Sequence, residues 1–101
     1  MSEADSLQAL RERIDALDRQ IQTLISERAR CAQQVGAIKQ AAGVTGNFYR
    51  AEREAQVLRR VIETNTGPLS SEEMARLFRE IMSACLALEE PLKIAFLGPE
   101  G

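Results

Sequence analysis

The stretch LQALRERIDALDRQIQTLISERARCAQQVGAIK, residues 7–39, decides how the rest of the chain is arranged. Leu7, Leu10, Ile14, Leu17, Ile21, Leu24, Cys31, Val35 and Ile38 recur in it at alternating steps of three and four. That rhythm is the apolar seam of a helix wound against a partner. No proline interrupts it, and its one glycine, Gly36, falls near the end. At 1.5 Å per residue the helix is roughly 50 Å long. A compact domain of this size has a radius of gyration of only about 13 Å. The seam therefore outruns any core that one such chain could build around it, and it needs apolar surface from another chain or a further domain.

Arg28 takes the seam position between Leu24 and Cys31. A guanidinium on a buried stripe is costly unless anions meet it. Lys39 follows eleven residues later. That is about three turns, so both cations project from one side at roughly 16 Å separation, from which they could grip a small dianion. Arg11 precedes Arg28 by seventeen residues, which is roughly 25 Å and a rotation of about 100°. To serve the same ligand, Arg11 would have to come from a second copy of the helix running the other way. Arg11 and Lys39 also suit a plainer role as cations snorkelling at the seam edge. Arg28, within the seam, asks for a ligand.

The composition, 45% hydrophobic and 28% charged over 101 residues, fits one soluble, helix-rich domain at most. Four aromatics and no Trp argue against a β-sandwich. A net charge of −2 offers no basic stripe for nucleic acid. The opening Met1-Ser2-Glu3-Ala4-Asp5 lacks the basic and apolar segments of a secretory leader. No apolar run approaches the length of a membrane span. Cys31 and Cys85 fall on apolar helical faces, where a reduced, buried thiol is expected, and a cytoplasmic setting follows. The chain contains no histidine. Without it there is no Ser-His or Cys-His nucleophile pair, and the usual zinc sites lose their commonest nitrogen ligand. Two cysteines without a CxxC spacing make no metal site. Catalysis here would work by positioning and fixed charge.

Working outward, the first helix should start within 2–6, where Ser2 and Asp5 offer caps, and close at Gly43 in the left-handed conformation. Residues 43–47 read as a loop, followed by an aromatic anchor at Phe48 and Tyr49. A second helix is expected over 51–65, with Ala55, Leu58, Val61 and Ile62 as its apolar stripe. Glu54 lies one turn before Leu58 on that stripe, with Arg53 beside it. It is either an ordinary acidic first turn or a functional carboxylate. Gly67-Pro68 ends this helix. Ser70-Ser71-Glu72-Glu73 is a capping box for the third, with Leu69 and Met74 as its staple. Met74, Leu77, Phe78, Ile81, Met82, Cys85 and Leu88 mark the buried face of the third helix. Glu89 lies four residues after Cys85 and could look inward with it. Its neighbours Glu90 and Pro91 favour a frayed, solvated end instead. Residues 92–97 (LKIAFL) are strand-like, and a lone strand has nothing to pair with in a helical chain.

The runs LRERIDALDRQIQTLISERARCAQQVGAIK, FYRAEREAQVL and MARLFREIMSACLALE, in that order, resemble the all-helical chorismate mutase family. The closing KIAFLGPEG is similar to the opening of a prephenate dehydratase domain. The resemblance implies a domain over 1–91, with 92–101 as linker and first strand of a truncated second domain. It implies an all-α, three-helix protomer with a very long first helix, in an intertwined homodimer whose long helices span both active sites. The implied reaction is the Claisen rearrangement of chorismate to prephenate, which needs no nucleophile and no cofactor. It needs a flexible dicarboxylate held in a chair-like shape, with charge placed at the ether oxygen.

The resemblance assigns Arg28, and Arg11 of the partner subunit, to the substrate carboxylates, a task for arginine's planar fork. It assigns Lys39 to a carboxylate and the breaking ether oxygen, Arg53 to ordering nearby charges, and Glu54 to the ring hydroxyl. Three positions depart from the family pattern. Arg50 stands where many relatives carry Asp and receives no substrate role. Cys85 replaces a small residue, often Ser, that donates better than a thiol. Glu89 takes the place of a Gln that bonds the ether oxygen, so it must be protonated to help. The reading from a different class is a non-catalytic helical dimerisation or regulatory module with cations lining its seam.

Overall fold

The computed structural model describes residues 2–43 and 47–89, which form three α-helices and no strand. The first, α1, runs Glu3–Ala42 over 40 residues. Ser2 caps it, accepting a hydrogen bond from the Asp5 N–H at 3.1 Å, and Glu3 and Asp5 place negative charge against the positive end of the helix dipole. Gly43 closes it at φ 72°, a left-handed conformation open to a residue without Cβ. Both ends are where the residues predicted them.

The second helix, α2, spans Asn47–Thr64 and starts four residues before the expected Ala51. Its inward stripe also differs from the expected one. Val57 is its buried residue, flanked by half-buried Glu54, Leu58 and Val61, whereas Ala55 and Ile62 face outward. The stripe is thus rotated toward Glu54, which brings a carboxylate to the inner face. The turn after α2 is tied by Asn65, whose amide donates to the Leu69 carbonyl at 2.8 Å. Its side-chain oxygen accepts from the Gly67 N–H at 3.4 Å.

The third helix, α3, spans Ser71–Leu88. Ser70 caps it, accepting from the Glu73 N–H at 3.1 Å. The return half of the expected capping box is replaced: Glu73 accepts two hydrogen bonds from the Arg76 guanidinium, at 2.9 and 3.1 Å. Those bonds hold the Glu73 carboxyl below the usual carboxylate range. The buried face carries Met82 and Cys85 as expected, but its most enclosed residue is Ala75, and Leu77 is exposed.

α3 packs against both α1 and α2 and joins them. The core this produces is thin. Among the described residues its buried hydrophobics are Ala32, Val57, Ala75, Met82 and Cys85. The seam of α1 stays open: Leu24 is 63% and Ile38 68% exposed, and Leu7, Leu10, Ile14, Leu17, Ile21 and Val35 are exposed as well. Cys31, expected to be buried, is exposed too. The Cα radius of gyration is 18.4 Å, against the roughly 13 Å of a compact chain of this length. No helix is long and apolar enough to cross a membrane among the described residues. The side chains of the aromatic anchor at Phe48 and Tyr49, the strand over 92–97 and the domain boundary at 91 lie outside what is described.

The Ser70 cap yields a stability prediction. Ser70→Ala should cost about 1 kcal/mol, the ordinary worth of a serine N-cap. Urea unfolding at matched chain concentration checks it, with Ser83→Ala on the exposed face of α3 as the near-neutral control.

Candidate active site

The three helices enclose a groove of about 410 Å³, within the range of roughly 300–1,000 Å³ usual for small-molecule sites. Its apolar floor comes from Ala32 and Val35 of α1, Val57 of α2, and Met82, Cys85 and Leu86 of α3. Over that floor stand six charged side chains: Arg28 and Lys39 from α1, Arg50, Arg53 and Glu54 from α2, and Glu89 at the end of α3. Four cations face two carboxylates, so the groove is basic in a chain whose formal net charge is −2.

Arg28 and Lys39 reach the same groove because eleven residues return a helix nearly to the same side. Arg28 is half-buried and has no hydrogen-bond or ion-pair partner among the described residues. A half-buried guanidinium without a protein anion is placed to receive one from a ligand. Lys39 Nζ donates to Glu89 Oε1 at 3.2 Å, with the side chains 36% and 21% exposed. Glu89 is thus not the frayed, solvated residue its neighbours suggested. It caps α3, its N–H donating to the Leu86 carbonyl at 2.9 Å, and its carboxyl looks into the groove.

Of the expected site residues, the groove brings together Arg28, Lys39, Arg53, Glu54, Cys85 and Glu89. Arg53 is largely exposed at its rim, Glu54 is half-buried, and Cys85 is 3% exposed in its floor. Arg11 lies outside it, exposed on the N-terminal half of α1. Two further residues line the groove without a role expected from the sequence. Arg50, given none because relatives carry Asp there, is half-buried in the groove wall. Cys31, a seam residue by its spacing, lines it as well. A cue was available for Cys31, which lies one turn beyond Arg28 on the same face. No group of three Cys, Asp or Glu side chains suited to a metal occurs among the described residues.

The family model for chorismate mutase type II matches residues 10–90. The chain belongs to that family. Its whole length aligns at 64% identity with the bifunctional chorismate mutase/prephenate dehydratase of Stutzerimonas stutzeri, of which it covers 28%. It aligns at 60% identity with the Pseudomonas aeruginosa counterpart, again covering 28%. The chain therefore spans little more than a quarter of those relatives. Among solved structures, the chorismate mutase (form II) of Thermus thermophilus superposes with a TM-score of 0.76 at 36% identity. That match covers 84% of this chain and 94% of the other. The Helicobacter pylori chorismate mutase in complex with prephenate gives 0.71 at 25% identity, over 86% and 92% of the two chains. Membership of the chorismate mutase type II family gives the basic groove a chemistry to be tested.

Proposed function

We propose that this chain isomerises chorismate to prephenate in the groove between α1, α2 and α3. The observation that carries the reading is Arg28, half-buried and without an anionic partner among the described residues, on the same side of α1 as Lys39 in a groove of ligand size. In the rearrangement one C–O bond breaks as one C–C bond forms, with no covalent intermediate. The protein must fold the substrate into its reactive shape and stabilise the charge that gathers on the ether oxygen. Arg28 takes one carboxylate. Lys39, one turn from the helix end, takes a carboxylate edge and the ether oxygen. Glu54 accepts from the ring hydroxyl, with Arg53 beside it ordering the local charges. Glu89 stands beside Lys39 at the ether oxygen, and Cys85 walls the floor.

Arg11 completes the site from a second copy. It lies seventeen residues from Arg28 on a continuous helix, roughly 25 Å away, so within one chain it cannot reach the ligand that Arg28 holds. The exposed seam of α1 supplies the reason for two copies to pair, and an intertwined homodimer places Arg11 of the partner subunit over each groove. Residues 1–91 form the mutase domain and 92–101 open a dehydratase domain, in keeping with the 28% coverage of the bifunctional relatives. The reaction serves phenylalanine biosynthesis in the cytoplasm.

Replacing Arg28 separates this reading from that of a passive dimerisation module. Chorismate loss, followed by ultraviolet absorbance, should fall by at least about a hundredfold in Arg28→Ala, the scale of losing a charged transition-state contact. Arg28→Leu should be equally inactive while the dimer resists urea at least as well, since an apolar residue relieves a buried charge. Unchanged turnover in a folded Arg28→Leu dimer would take Arg28 out of the site, and no turnover from a folded wild-type dimer would return the chain to the module class.

Mixing inactive chains tests the shared site. Arg11→Ala and Arg28→Ala chains, refolded together, should regain about a quarter of wild-type turnover, because half the dimers carry one intact site. No recovery on mixing would place Arg11 outside the site.

Glu89→Gln tests the donor at the end of α3. An amide N–H donates where a carboxylate oxygen only accepts, so kcat of Glu89→Gln should equal or exceed that of wild type, whereas Glu89→Leu should lower it. A Glu89→Gln enzyme as slow as Glu89→Leu would place the donor to the ether oxygen elsewhere.

A further inference from the structure

Gly36 is a buried residue in the interior of α1. A Cβ built on it would lie 2.7 Å from the Glu89 carbonyl oxygen, 2.8 Å from Glu89 Cα and 3.1 Å from its carbonyl carbon. Contacts below 3.0 Å are essentially unknown for real Cβ atoms, and the obstructing atoms are backbone, which no rotamer change can move. Glycine is a poor helix former, and Gly36 has no positive φ to call for it. Its contact with Glu89 is what accounts for it. Those Glu89 atoms cap α3. Lys39 stands three residues beyond Gly36, one turn along the same face, and its Nζ meets Glu89 Oε1 at 3.2 Å.

We propose that Gly36 is a positioning residue for the Lys39–Glu89 pair: its missing side chain lets the end of α3 settle on α1, so that the Glu89 carboxyl meets Lys39 in the groove. The catalytic consequence rests on the chorismate reading given above, whereas the placement of the pair does not. A methyl group at 36 must push the Glu89 carbonyl from 2.7 Å to the 3.4 Å of ordinary contact, a retreat of about 0.7 Å. The carboxyl travels with its backbone. A displacement approaching 1 Å at a reacting group costs as much as about a hundredfold in rate.

The test is Gly36→Ala in the full chain. The variant should fold and dimerise, because the clash touches only the closing residue of α3. Its kcat should fall roughly ten- to a hundredfold while KM stays within about threefold. Added to Glu89→Ala, the same substitution should cost less than about twofold, since the group it positions is gone. A purely structural glycine would cost the same in both backgrounds. An activity-free readout uses a 13C-labelled Glu89 carboxyl, whose resonance should move on Lys39→Met in the Gly36 chain and stay put when Gly36→Ala is also present. If wild type shows no turnover, the chorismate reading fails and this resonance alone decides the positioning. The proposal is overturned by a resonance that responds equally in both chains. It is also overturned by a Gly36→Ala enzyme with unchanged kcat, or by one that cannot fold, which would make Gly36 a core-packing site.

Discussion

The fold hangs on one imbalance, the length of α1 against the apolar surface available to cover it. Forty residues of helix extend about 60 Å, and α2 and α3, at 18 residues each, are less than half as long. α3 meets α1 in its C-terminal half, where Ala32 and Gly36 are buried, yet seam residues along the whole of α1 stay exposed, from Leu7, Leu10, Ile14 and Leu17 to Leu24, Val35 and Ile38. A row of large aliphatics in water contributes nothing to folding until it is buried, at roughly 25 cal/mol per Å². With no large side chain fully enclosed in the described core, most of the stabilisation available to this sequence lies in covering the seam. In the proposed homodimer a second copy of the same seam would supply that cover, which would make assembly and folding one problem.

The same helix sets the chemistry. Arg28 interrupts the seam where α1 passes the groove, so a residue that would be a fault in a coiled coil becomes a wall of a ligand site. A basic groove on an apolar floor suits a small, rigidifying dianion. Charge there acts at lower effective dielectric than on the open surface and needs no imidazole to shuttle protons. The absence of histidine from the chain thus fits a reaction that moves electrons within one substrate.

Most of this was legible in the sequence because it rests on local rules. The ends of α1 and the start of α3 follow from Ser2, Gly43 and Ser70, whose capping chemistry is short-range. Arg28 and Lys39 share a groove because helical periodicity says so. What escaped depends on how helices meet. Leu58 and Val61 face inward as expected, but Val57 joins them in place of Ala55 and Ile62 because the packing of α2 on α3 sets the stripe, and a rotation of about 60° is not resolved by apolar spacing alone. Ala75 is the most enclosed residue of α3, a small side chain that the larger apolar residues around it in the sequence leave inconspicuous. Glu89 looks solvated beside Glu90 and Pro91, and only the docking of the end of α3 on α1 turns it inward. Analogy with relatives gives Arg50 no role, yet the groove includes it.

The Lys39–Glu89 pair shows how these levels combine. Both side chains retain some solvent, and an ion pair of that kind is worth about 0–1 kcal/mol, too little to hold a helix end in place. Its geometry must therefore be imposed by packing, and the backbone of Glu89 lying against Gly36 is the packing that imposes it. A pair held by its backbone and not by its own attraction has a useful property: the lysine can exchange its carboxylate for a ligand's at little cost while both groups stay in place. Arg28, with no partner among the described residues, needs no exchange at all. On the proposed chorismate reading, the groove would offer Arg28 for binding and the loosely paired Lys39 for the reacting atoms. The division follows from where the end of α3 rests on α1.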